Sequence, residues 1–324
     1  MQGDLIVVFG GSGFVGRQVV RALAKQGKRV RVPMRRPHLG HELRVMGDVG
    51  QIQLVQANVR HPDSVARALE GATGVVNCIG LLYEQGPQTF AAVQAEGAET
   101  IARAAAGQGI TRFAHISAIG ADVNGKAKYA RTKGQAEAAV RAAIPEAVIL
   151  RPSIIFGPED TFFNRFADMA KFSPAMPLIG GGKTRFQPVF VGDVAAAVSA
   201  ALSRDDARGR TFELGGPRIY TFKELLSWLL KEIARPRPLI PLPFFAAQPL
   251  GMLMAAGAKL VPLFPPLLTS DQVLMLKEDS VVGRDPRAGT IADLGVSELE
   301  SVEAIAPSYL WRFRPRGQFE ARPA

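Results

Sequence analysis

The stretch at residues 4–16, DLIVVFGGSGFVG, constrains the fold more than any other part of the sequence. Its apolar start predicts a buried strand, and a helical pattern follows directly after the turn. Three glycines stand three residues apart in that turn: Gly10, Gly13 and Gly16. This spacing allows a tight turn, close approach of backbone to a pyrophosphate and close packing of helix on strand. Because a second strand pattern follows at 29–34, the sequence predicts a βαβ unit that binds a dinucleotide, with phosphates at the helix N-terminus.

The rest of the first half repeats this alternation of strand and helix. Apolar runs predict buried parallel strands at 5–9, 29–34, 52–57, 75–80 and 112–117, and at 147–150. Helical patterns lie between them at 14–26, 63–70, 88–107 and 129–143. The expected fold class is therefore α/β, a doubly wound parallel sheet with a smaller C-terminal lobe. We expect a dinucleotide-binding domain over 1–151 and a smaller, interleaved α/β lobe with a docking segment over 152–324.

The charge balance is basic, with 39 lysines and arginines against 29 aspartates and glutamates. Such an excess suits nucleic acid, an anionic membrane, a phosphorylated cofactor or an acidic partner. The sequence contains no nucleic-acid-binding motif, so we expect no nucleic-acid partner.

Histidine and cysteine patterns give no metal site. Cys78 is the single cysteine, which excludes a disulfide framework and favours a reducing compartment. The four histidines lack the spacing of metal ligands, and His115 is expected to be packed or capping. The first strand begins at Leu5, so we expect no signal or transit peptide.

The segment 239–268 is strongly apolar but contains six prolines. Its proline-free part, 250–261, is shorter than the roughly 20 residues that a spanning helix needs, so we do not expect a transmembrane helix. Two interpretations stay open: a buried helix of the second lobe, or a helix that lies on a membrane or in the groove of a partner.

Cofactor selectivity is expected from the end of the second strand. A carboxylate there would favour the unphosphorylated cofactor. The sequence has Arg35 and Arg36 instead, and planar guanidinium donors suit a 2′-phosphate, so we expect NADPH. Asn58, after the third strand, is expected near the adenine, and 77–80 (NCIG) should end the fourth strand beneath the cofactor.

A Tyr-x-x-x-Lys pair, Tyr129 and Lys133, occupies one face of the helix that follows the fifth strand. An ammonium near a phenol favours the tyrosinate and can hold the nicotinamide ribose, which is the arrangement that proton transfer requires. By contrast, the acidic pair Glu159 and Asp160 is expected to belong to a turn.

Together, the glycine motif, NCIG, Tyr129/Lys133 and Arg151-Pro152-Ser153 resemble the extended, atypical short-chain dehydrogenase/reductase superfamily, with its NAD(P)-binding Rossmann fold. Residues 151–167, 187–198 and 267–282 further resemble the nucleotide-binding accessory subunit of respiratory complex I, the proton-pumping NADH:quinone oxidoreductase.

One departure from the superfamily concerns catalysis. Its enzymes place a Ser or Thr two positions after the first serine of the segment that closes the fifth strand. Aligning Ser117 with that serine puts Ile119, which cannot hydrogen-bond, where the hydroxyl should be. The resemblance thus implies an accessory, non-catalytic subunit with NADPH as a structural cofactor.

The expected partners are other complex I subunits and the membrane surface, reached through 239–268 and the basic tail at 311–322. Trp311 and Phe313 would act as interfacial anchors. The expected location is peripheral, on the cytoplasmic side of the inner membrane.

The alternative functions are an active NADP-dependent reductase or epimerase for a carbonyl, quinone or nucleotide sugar, with Tyr129 as acid/base, and a redox sensor. The expected cofactor-binding residues are Gly10, Gly13, Phe14, Val15, Gly16, Arg35, Arg36, Asn58, Cys78, Ile79, Gly80, Ser117, Tyr129, Lys133, Pro152 and Ser153.

Overall fold

Apolar runs of the first half form one sheet of parallel strands. The computed structural model describes residues 4–260 and 268–319, and for residues 255–260 it describes the backbone alone. The chain divides into two units. Unit 1 comprises Met1–Pro152, Gly192–Leu214 and Asp285–Ser297, and unit 2 comprises Ser153–Val191, Gly215–Arg284 and Glu298–Ala324.

Unit 1 contains an eight-stranded parallel sheet flanked by helices. Its strands are β1 (Leu5–Phe9), β2 (Arg29–Met34), β3 (Ile52–Gln56), β4 (Gly74–Asn77), β5 (Phe113–Ile116), β6 (Val148–Pro152), β11 (Thr211–Leu214) and β14 (Gly289–Thr290). Their order is β14-β11-β6-β5-β4-β1-β2-β3. The helices are α1 (Phe14–Lys25), α2 (His41–Arg44), α3 (Pro62–Leu69), α4 (Glu96–Gly107), α5 (Lys128–Ala143) and α7 (Val191–Ser203). The expected doubly wound α/β class is confirmed.

Strand order reverses at β1, which pairs with β2 on one side and β4 on the other. At the β1–β4 pair Phe9 is in register with Asn77, so these strands end together. In open parallel sheets, ligands bind in the crevice at such a reversal, beyond the carboxyl ends of the strands. The topology therefore places the candidate site beside the glycine turn.

The helix expected over 88–107 is interrupted at its start. Residues Ala91–Ala95 form a π-helical turn, and the regular helix α4 begins only at Glu96. Within the turn the side chain of Gln94 is buried; it accepts a hydrogen bond from the Leu81 amide and donates one to Thr132. These bonds give a physical reason for the widened turn, since π-bulges accommodate such local constraints and occur often at functional sites.

Unit 2 packs helices around an aromatic core that includes Phe156, Phe163, Phe186 and Phe222. Its strands are short and pair as β7 (Ile155–Phe156) with β10 (Val189–Phe190), β9 (Arg185–Phe186) with β12 (Tyr220–Thr221), and β8 (Met176–Ile179) with β13 (Leu239–Leu242). Its helices are α6 (Phe163–Phe172), α8 (Phe222–Glu232), α9 (Phe244–Leu260), α10 (Ser270–Met275), α11 (Val302–Ile305) and α12 (Pro307–Leu310).

The apolar segment expected to hold a helix contains β13 and α9, and α9 includes Pro249. The helix is buried on one face only: Ala247 packs with Ile179 and Val273. On the opposite side Phe245 is 82% exposed and Leu253 is 72% exposed. The interpretation as a buried helix is thus wrong for the described part of α9, and residues 261–267 lie outside the described residues. No helix in the described chain is long and apolar enough to cross a membrane.

The C-terminal tail differs from its expected role as an exposed anchor. Phe313 is 3% exposed within the unit 2 core, and the buried Arg314 forms an ion pair with the buried Glu232. Arg312 donates to Asn164. Phe313 and Arg314 are both buried, so neither can serve as a surface anchor. The prediction is therefore wrong for these two residues. Trp311 is exposed, and Arg322 lies outside the described residues.

Candidate dinucleotide site

The glycine turn between β1 and α1 leaves no space for side chains at two of its positions. Gly10 has φ +75°, and a Cβ on it would lie 2.9 Å from the Cys78 carbonyl carbon. A Cβ on Gly16 would lie 2.1 Å from the Gly10 carbonyl oxygen. Both contacts are with backbone, which cannot rotate away. The turn therefore lies tightly against the end of β4 and against its own helix, as the glycine spacing predicts.

Gly13 fills a different role, because it lies on the exposed side of the turn. It is exposed, and the nearest neighbour to a Cβ there is the Gly10 oxygen at 3.3 Å. Gly13 is also the N-cap of α1, where no side chain caps the helix and no acidic residue stands in the first turn. The first amides of α1 thus form the positive end of the helix dipole without a side chain that caps them. This cradle fits a pyrophosphate.

Two guanidinium groups lie at the carboxyl end of the adjacent strand β2. Arg35 and Arg36 are exposed and make no ion pair within the described chain. Arg17, which the sequence analysis did not single out, lies beside the glycine turn: its Nε donates to the Ser12 carbonyl at 3.0 Å, and it pairs with Glu42 at 3.2 Å. No carboxylate occupies residues 33–36. The strand end is therefore equipped for an anionic group.

Asn58 follows β3 and is half-buried. Its side-chain oxygen accepts a hydrogen bond from the Arg60 amide at 3.1 Å, and its backbone amide donates to the Ser64 hydroxyl. Toward a ligand the side chain therefore offers its Nδ2 donors, while its oxygen holds the local turn.

The NCIG segment ends β4 at Asn77 and continues as the turn that packs on Gly10. Asn77 Oδ1 accepts from the Ile79 amide, so its Nδ2 faces His115 Nδ1 at 3.2 Å. An amide NH₂ only donates, which makes Nδ1 the acceptor and assigns the proton of neutral His115 to Nε2. Burial, and then the charge of Lys133, lower the His115 pKa to about 3. His115 is thus a packed, neutral side chain, as expected.

Cys78 lies in the same turn with its thiol buried. Its residue retains some exposure through other atoms, but burial raises the pKa of the thiol to about 12. The thiol therefore stays protonated at neutral pH.

Tyr129 and Lys133 lie one turn apart on α5. Lys133 is buried and its Nζ donates to the Ile116 carbonyl at 2.9 Å. The same Nζ lies 3.6 Å from where a Cβ on Gly80 would be, so it reaches the turn after β4. Burial lowers the Lys133 pKa to about 8, against the opposing charge of Glu137. Tyr129 is half-buried and packs edge-on against Phe90. The predicted pair is therefore retained beside the end of the sheet.

Ser117 is buried and its hydroxyl is engaged inside unit 1. It donates to Glu137 Oε1 at 2.5 Å, and Glu137 in turn receives two hydrogen bonds from Arg151, at 2.9 and 2.6 Å. Arg151 also pairs with Asp285 at 3.0 Å. Ile119 is buried, two residues beyond Ser117. This part of the site thus offers a carboxylate-bound hydroxyl and an alkyl group.

Pro152 and Ser153 fall in different units, Pro152 at the end of β6 and Ser153 in unit 2. The Ser153 hydroxyl donates to the Ser280 carbonyl at 2.6 Å and accepts from the Gln187 amide. Asp160, also in unit 2, is buried and accepts from the Tyr309 hydroxyl at 2.7 Å and from three backbone amides. It closes a turn, as expected.

Two buried residues of the site have no counterpart in the sequence predictions. Gln94 holds the loop after NCIG to α5, and Glu137 holds Ser117 and Arg151. The available signal for Glu137 was its spacing, one helical turn after Lys133 on the same face of α5. Gln94 stands in an otherwise apolar helical stretch, which was the only indication of its burial. Among the described residues no group of three or more metal-binding side chains gathers.

Comparisons with known proteins agree with this architecture. A model of the NAD dependent epimerase/dehydratase family matches residues 6–215. Among solved structures, the crystal structure of gox2253 has a TM-score of 0.72 at 23% identity, over 98% of this chain and 100% of that one. A dTDP-glucose 4,6-dehydratase, DesIV from Streptomyces venezuelae with NAD and TYD bound, has a TM-score of 0.64 at 20% identity, over 74% and 84%. These likenesses show the fold.

Curated relatives are closer in sequence. The chain is 38% identical to NADH dehydrogenase (ubiquinone) 1 alpha subcomplex subunit 9, mitochondrial, of Arabidopsis thaliana, over 87% of this chain and 72% of that protein. It is 35% identical to the Mus musculus protein of the same name, over 100% and 85%. A ceramide reductase of Caulobacter vibrioides is 32% identical over 79% of each chain. The chain belongs to the NAD dependent epimerase/dehydratase family and, within it, to the family of NADH dehydrogenase (ubiquinone) alpha subcomplex subunit 9.

Proposed function

We propose that this protein is an accessory, non-catalytic subunit of a proton-pumping NADH:quinone oxidoreductase. In this role it holds NADPH as a fixed cofactor and stabilises or assembles the complex where it meets the membrane. The observation that carries the proposal is similarity along the whole chain: the match to the mouse subunit includes both units and the C-terminal segment. A nucleotide-binding domain alone would match only the first part.

The choice of NADPH rests on the end of β2. Arg35 and Arg36 stand where a ribose-binding carboxylate would favour NADH, and both are exposed. Arginine donors are planar and permanently charged, which suits a 2′-phosphate. The residues proposed to hold the dinucleotide are those predicted from the sequence, with the glycine turn and the start of α1 taking the pyrophosphate and Lys133 taking the nicotinamide ribose.

We infer from Ser117 and Ile119 that the protein does not turn over a substrate. A carbonyl substrate beside Tyr129 needs a second hydrogen-bond donor to orient it. Ile119 supplies none, and the Ser117 hydroxyl is already bonded to Glu137. When bound, the nicotinamide would supply hydride chemistry, but this chain would lack a group to position its acceptor. NADPH would then contribute binding energy to the folded state alone.

The membrane junction rests on the exposed face of α9. Large apolar side chains of one helix face, Phe245 and Leu253 among them, are exposed while the opposite face packs on unit 2. A helix with this distribution lies in a membrane interface or against a partner. We place the protein as a peripheral subunit on the cytoplasmic side of the inner membrane, in contact with other subunits of the complex.

Affinity purification tests the assembly. The tagged protein is recovered from membranes dissolved in mild detergent, with an untagged strain and a tagged cytosolic protein of similar charge as controls. The proposal expects NADH:quinone oxidoreductase subunits to co-purify in a fixed ratio. Recovery of the protein without any respiratory subunit would contradict it.

A second function, an NADP-dependent reductase, is favoured by one specific observation. The chain is 32% identical to a protein named as a ceramide reductase, and it carries Tyr129 and Lys133 one turn apart on α5. In this case Tyr129 would protonate the carbonyl oxygen. NADPH oxidation with a panel of carbonyl compounds, compared between wild type and Tyr129→Phe, separates the two. Activity that Tyr129→Phe abolishes would establish the reductase.

A further inference from the structure

An open groove of about 780 Å³ lies in unit 2, where α8 ends and the chain turns toward β13. Its walls are mostly apolar, with side chains from the last turns of α8 and from a proline-rich connection. The lining residues are Ser227, Leu230, Lys231, Ala234, Pro236, Arg237, Pro238 and Leu239. The groove therefore combines an apolar floor with a small number of polar groups, as binding sites for amphiphilic ligands do.

The charged groups of this groove all have one sign. Lys231 and Arg237 line it, and among the residues that the structure describes no carboxylate does. Arg237 is fixed in place because its Nε donates to the Ala170 carbonyl at 3.1 Å, at the end of α6. Lys231 is exposed and forms no ion pair within the described chain. Two cations at the rim of an apolar groove are complementary to an anion with an apolar body.

The chain on either side of the groove-lining residues carries exposed apolar side chains. Leu239 lines the groove and begins β13, and the next residue, Ile240, is 55% exposed. In α6, Phe172 follows two residues after Ala170, whose carbonyl Arg237 contacts, and it is 88% exposed. The strand leads directly into α9 with its exposed Phe245. The groove thus ends at the strand that leads into α9, the helix whose exposed face is proposed above to meet the membrane.

We propose that this groove binds an anionic phospholipid at the membrane surface. Lys231 and Arg237 take the phosphate of the headgroup, and the apolar walls formed by Leu230, Ala234 and Leu239 take the adjoining part of an acyl chain. An acidic peptide would pair with the two cations but would leave the exposed apolar side chains of β13 and α9 in water, whereas a bilayer accommodates both. This inference rests on the proposed membrane contact and adds lipid selectivity to it.

Vesicle flotation of the full-length protein tests the selectivity. One set of vesicles contains phosphatidylcholine alone, and the other contains phosphatidylcholine with phosphatidylglycerol. We expect wild type to bind the anionic vesicles more tightly, and Lys231→Gln/Arg237→Gln to lose about 20-fold in affinity for them. The matched control is Arg21→Gln/Lys25→Gln, which removes two exposed charges from α1 in unit 1 and should bind as wild type does. Added salt should reduce the difference.

Further variants distinguish failure of the proposed lipid selectivity from failure of the proposed membrane contact. Lys231→Glu reverses an exposed charge without touching the Arg237–Ala170 bond, so it tests the groove even where the double variant unfolds. Phe245→Ser/Leu253→Ser tests the apolar face, and it should weaken binding to both kinds of vesicle. No binding of wild type to any vesicle would overturn the proposed membrane contact. Binding that Lys231→Glu leaves unchanged, or that the control variant reduces equally, would overturn the lipid selectivity alone.

Discussion

The Ser117 hydroxyl donates a hydrogen bond to Glu137 Oε1 at 2.5 Å, and both side chains are buried. Glu137 is held in turn by the Nε and terminal nitrogen of Arg151. The serine that closes β5 is thereby tied to an ion pair inside unit 1 instead of being left free for a substrate. This relationship connects the end of the sheet, the helix that carries Lys133 and the returning segment at Asp285. It makes the network a structural element of the nucleotide-binding unit.

Loss of the Glu137 charge should destabilise the protein. Glu137→Gln leaves the half-buried Arg151 with only Asp285 as a charged partner, and breaking a buried ion pair is costly. We expect the free energy of unfolding, measured by urea titration, to fall by about 3 kcal/mol. Glu146→Gln, which breaks an exposed pair with Arg208, should cost less than about 0.5 kcal/mol. Equal effects of the two variants would contradict a structural role for the network.

A side chain on Gly16 should disrupt the glycine turn. The Cβ of Gly16→Ala would overlap the Gly10 carbonyl oxygen, so we expect a loss of at least about 2 kcal/mol in stability and loss of nucleotide binding. Gly107→Ala is the matched control, because a Cβ there, at the end of α4, meets nothing within 4 Å. It should leave stability unchanged or slightly increased. Thermal unfolding with and without nucleotide measures stability and nucleotide binding. If Gly16→Ala leaves both unchanged, Gly16 does not pack closely against the Gly10 carbonyl.

Cofactor selectivity should depend on the arginines after β2. We expect Arg35→Ser/Arg36→Ser to weaken NADPH binding by about 100-fold, since hydrogen bonds between charged groups are lost, and to change NADH binding little. Arg44→Ser removes an exposed arginine of the same basic segment and serves as control. Titration calorimetry on nucleotide-free protein gives both affinities. A parallel loss for NADPH and NADH would show that these arginines do not contact a 2′-phosphate.

His115 should make the protein sensitive to mild acid. Its pKa is about 3 in the folded protein, lowered by burial from 6.5, so the unfolded chain binds the proton first as the pH falls. Stability is unaffected by this group above pH 6.5 and decreases toward pH 3, by up to about 1.4 kcal/mol per pH unit. His115→Gln keeps an acceptor for Asn77 and should flatten this dependence, whereas the exposed His38→Gln should not. Unfolding midpoints measured between pH 6.5 and pH 3 test this prediction. If the pH dependence of stability is unchanged in His115→Gln, His115 is not the group responsible.

The central sheet follows from the sequence because its strands are continuous apolar runs. Leu5–Phe9 and Arg29–Met34 have the predicted bounds. The helices between the strands deviate by at most one residue at each end, except that the helix expected over 88–107 becomes a regular α-helix only at Glu96. The last strand, Gly289–Thr290, was not predicted, since two residues with no apolar run give no strand signal. It joins the sheet only through pairing with Thr211–Leu214, which is a tertiary event.

The site was predictable where a motif fixes the backbone and not where buried side chains pair across elements. The glycine turn and the Tyr129/Lys133 pair lie where spacing indicates. The bond from Ser117 to Glu137 joins residues 20 positions apart, and the Arg314–Glu232 pair joins residues 82 apart, so neither has a local signal. For the same reason the pattern of the arginine-rich tail does not indicate that Phe313 and Arg314 pack inside unit 2.

The nucleotide that stays bound to the purified protein decides whether NADPH is a fixed cofactor. The protein is purified from its own cells, washed extensively by gel filtration, denatured, and the released nucleotide is identified and counted by chromatography with absorbance and mass detection. We predict one NADPH per chain that washing does not remove. A site that purifies empty and fills only at millimolar NADPH, or one that releases NAD(H), would contradict a fixed NADPH cofactor.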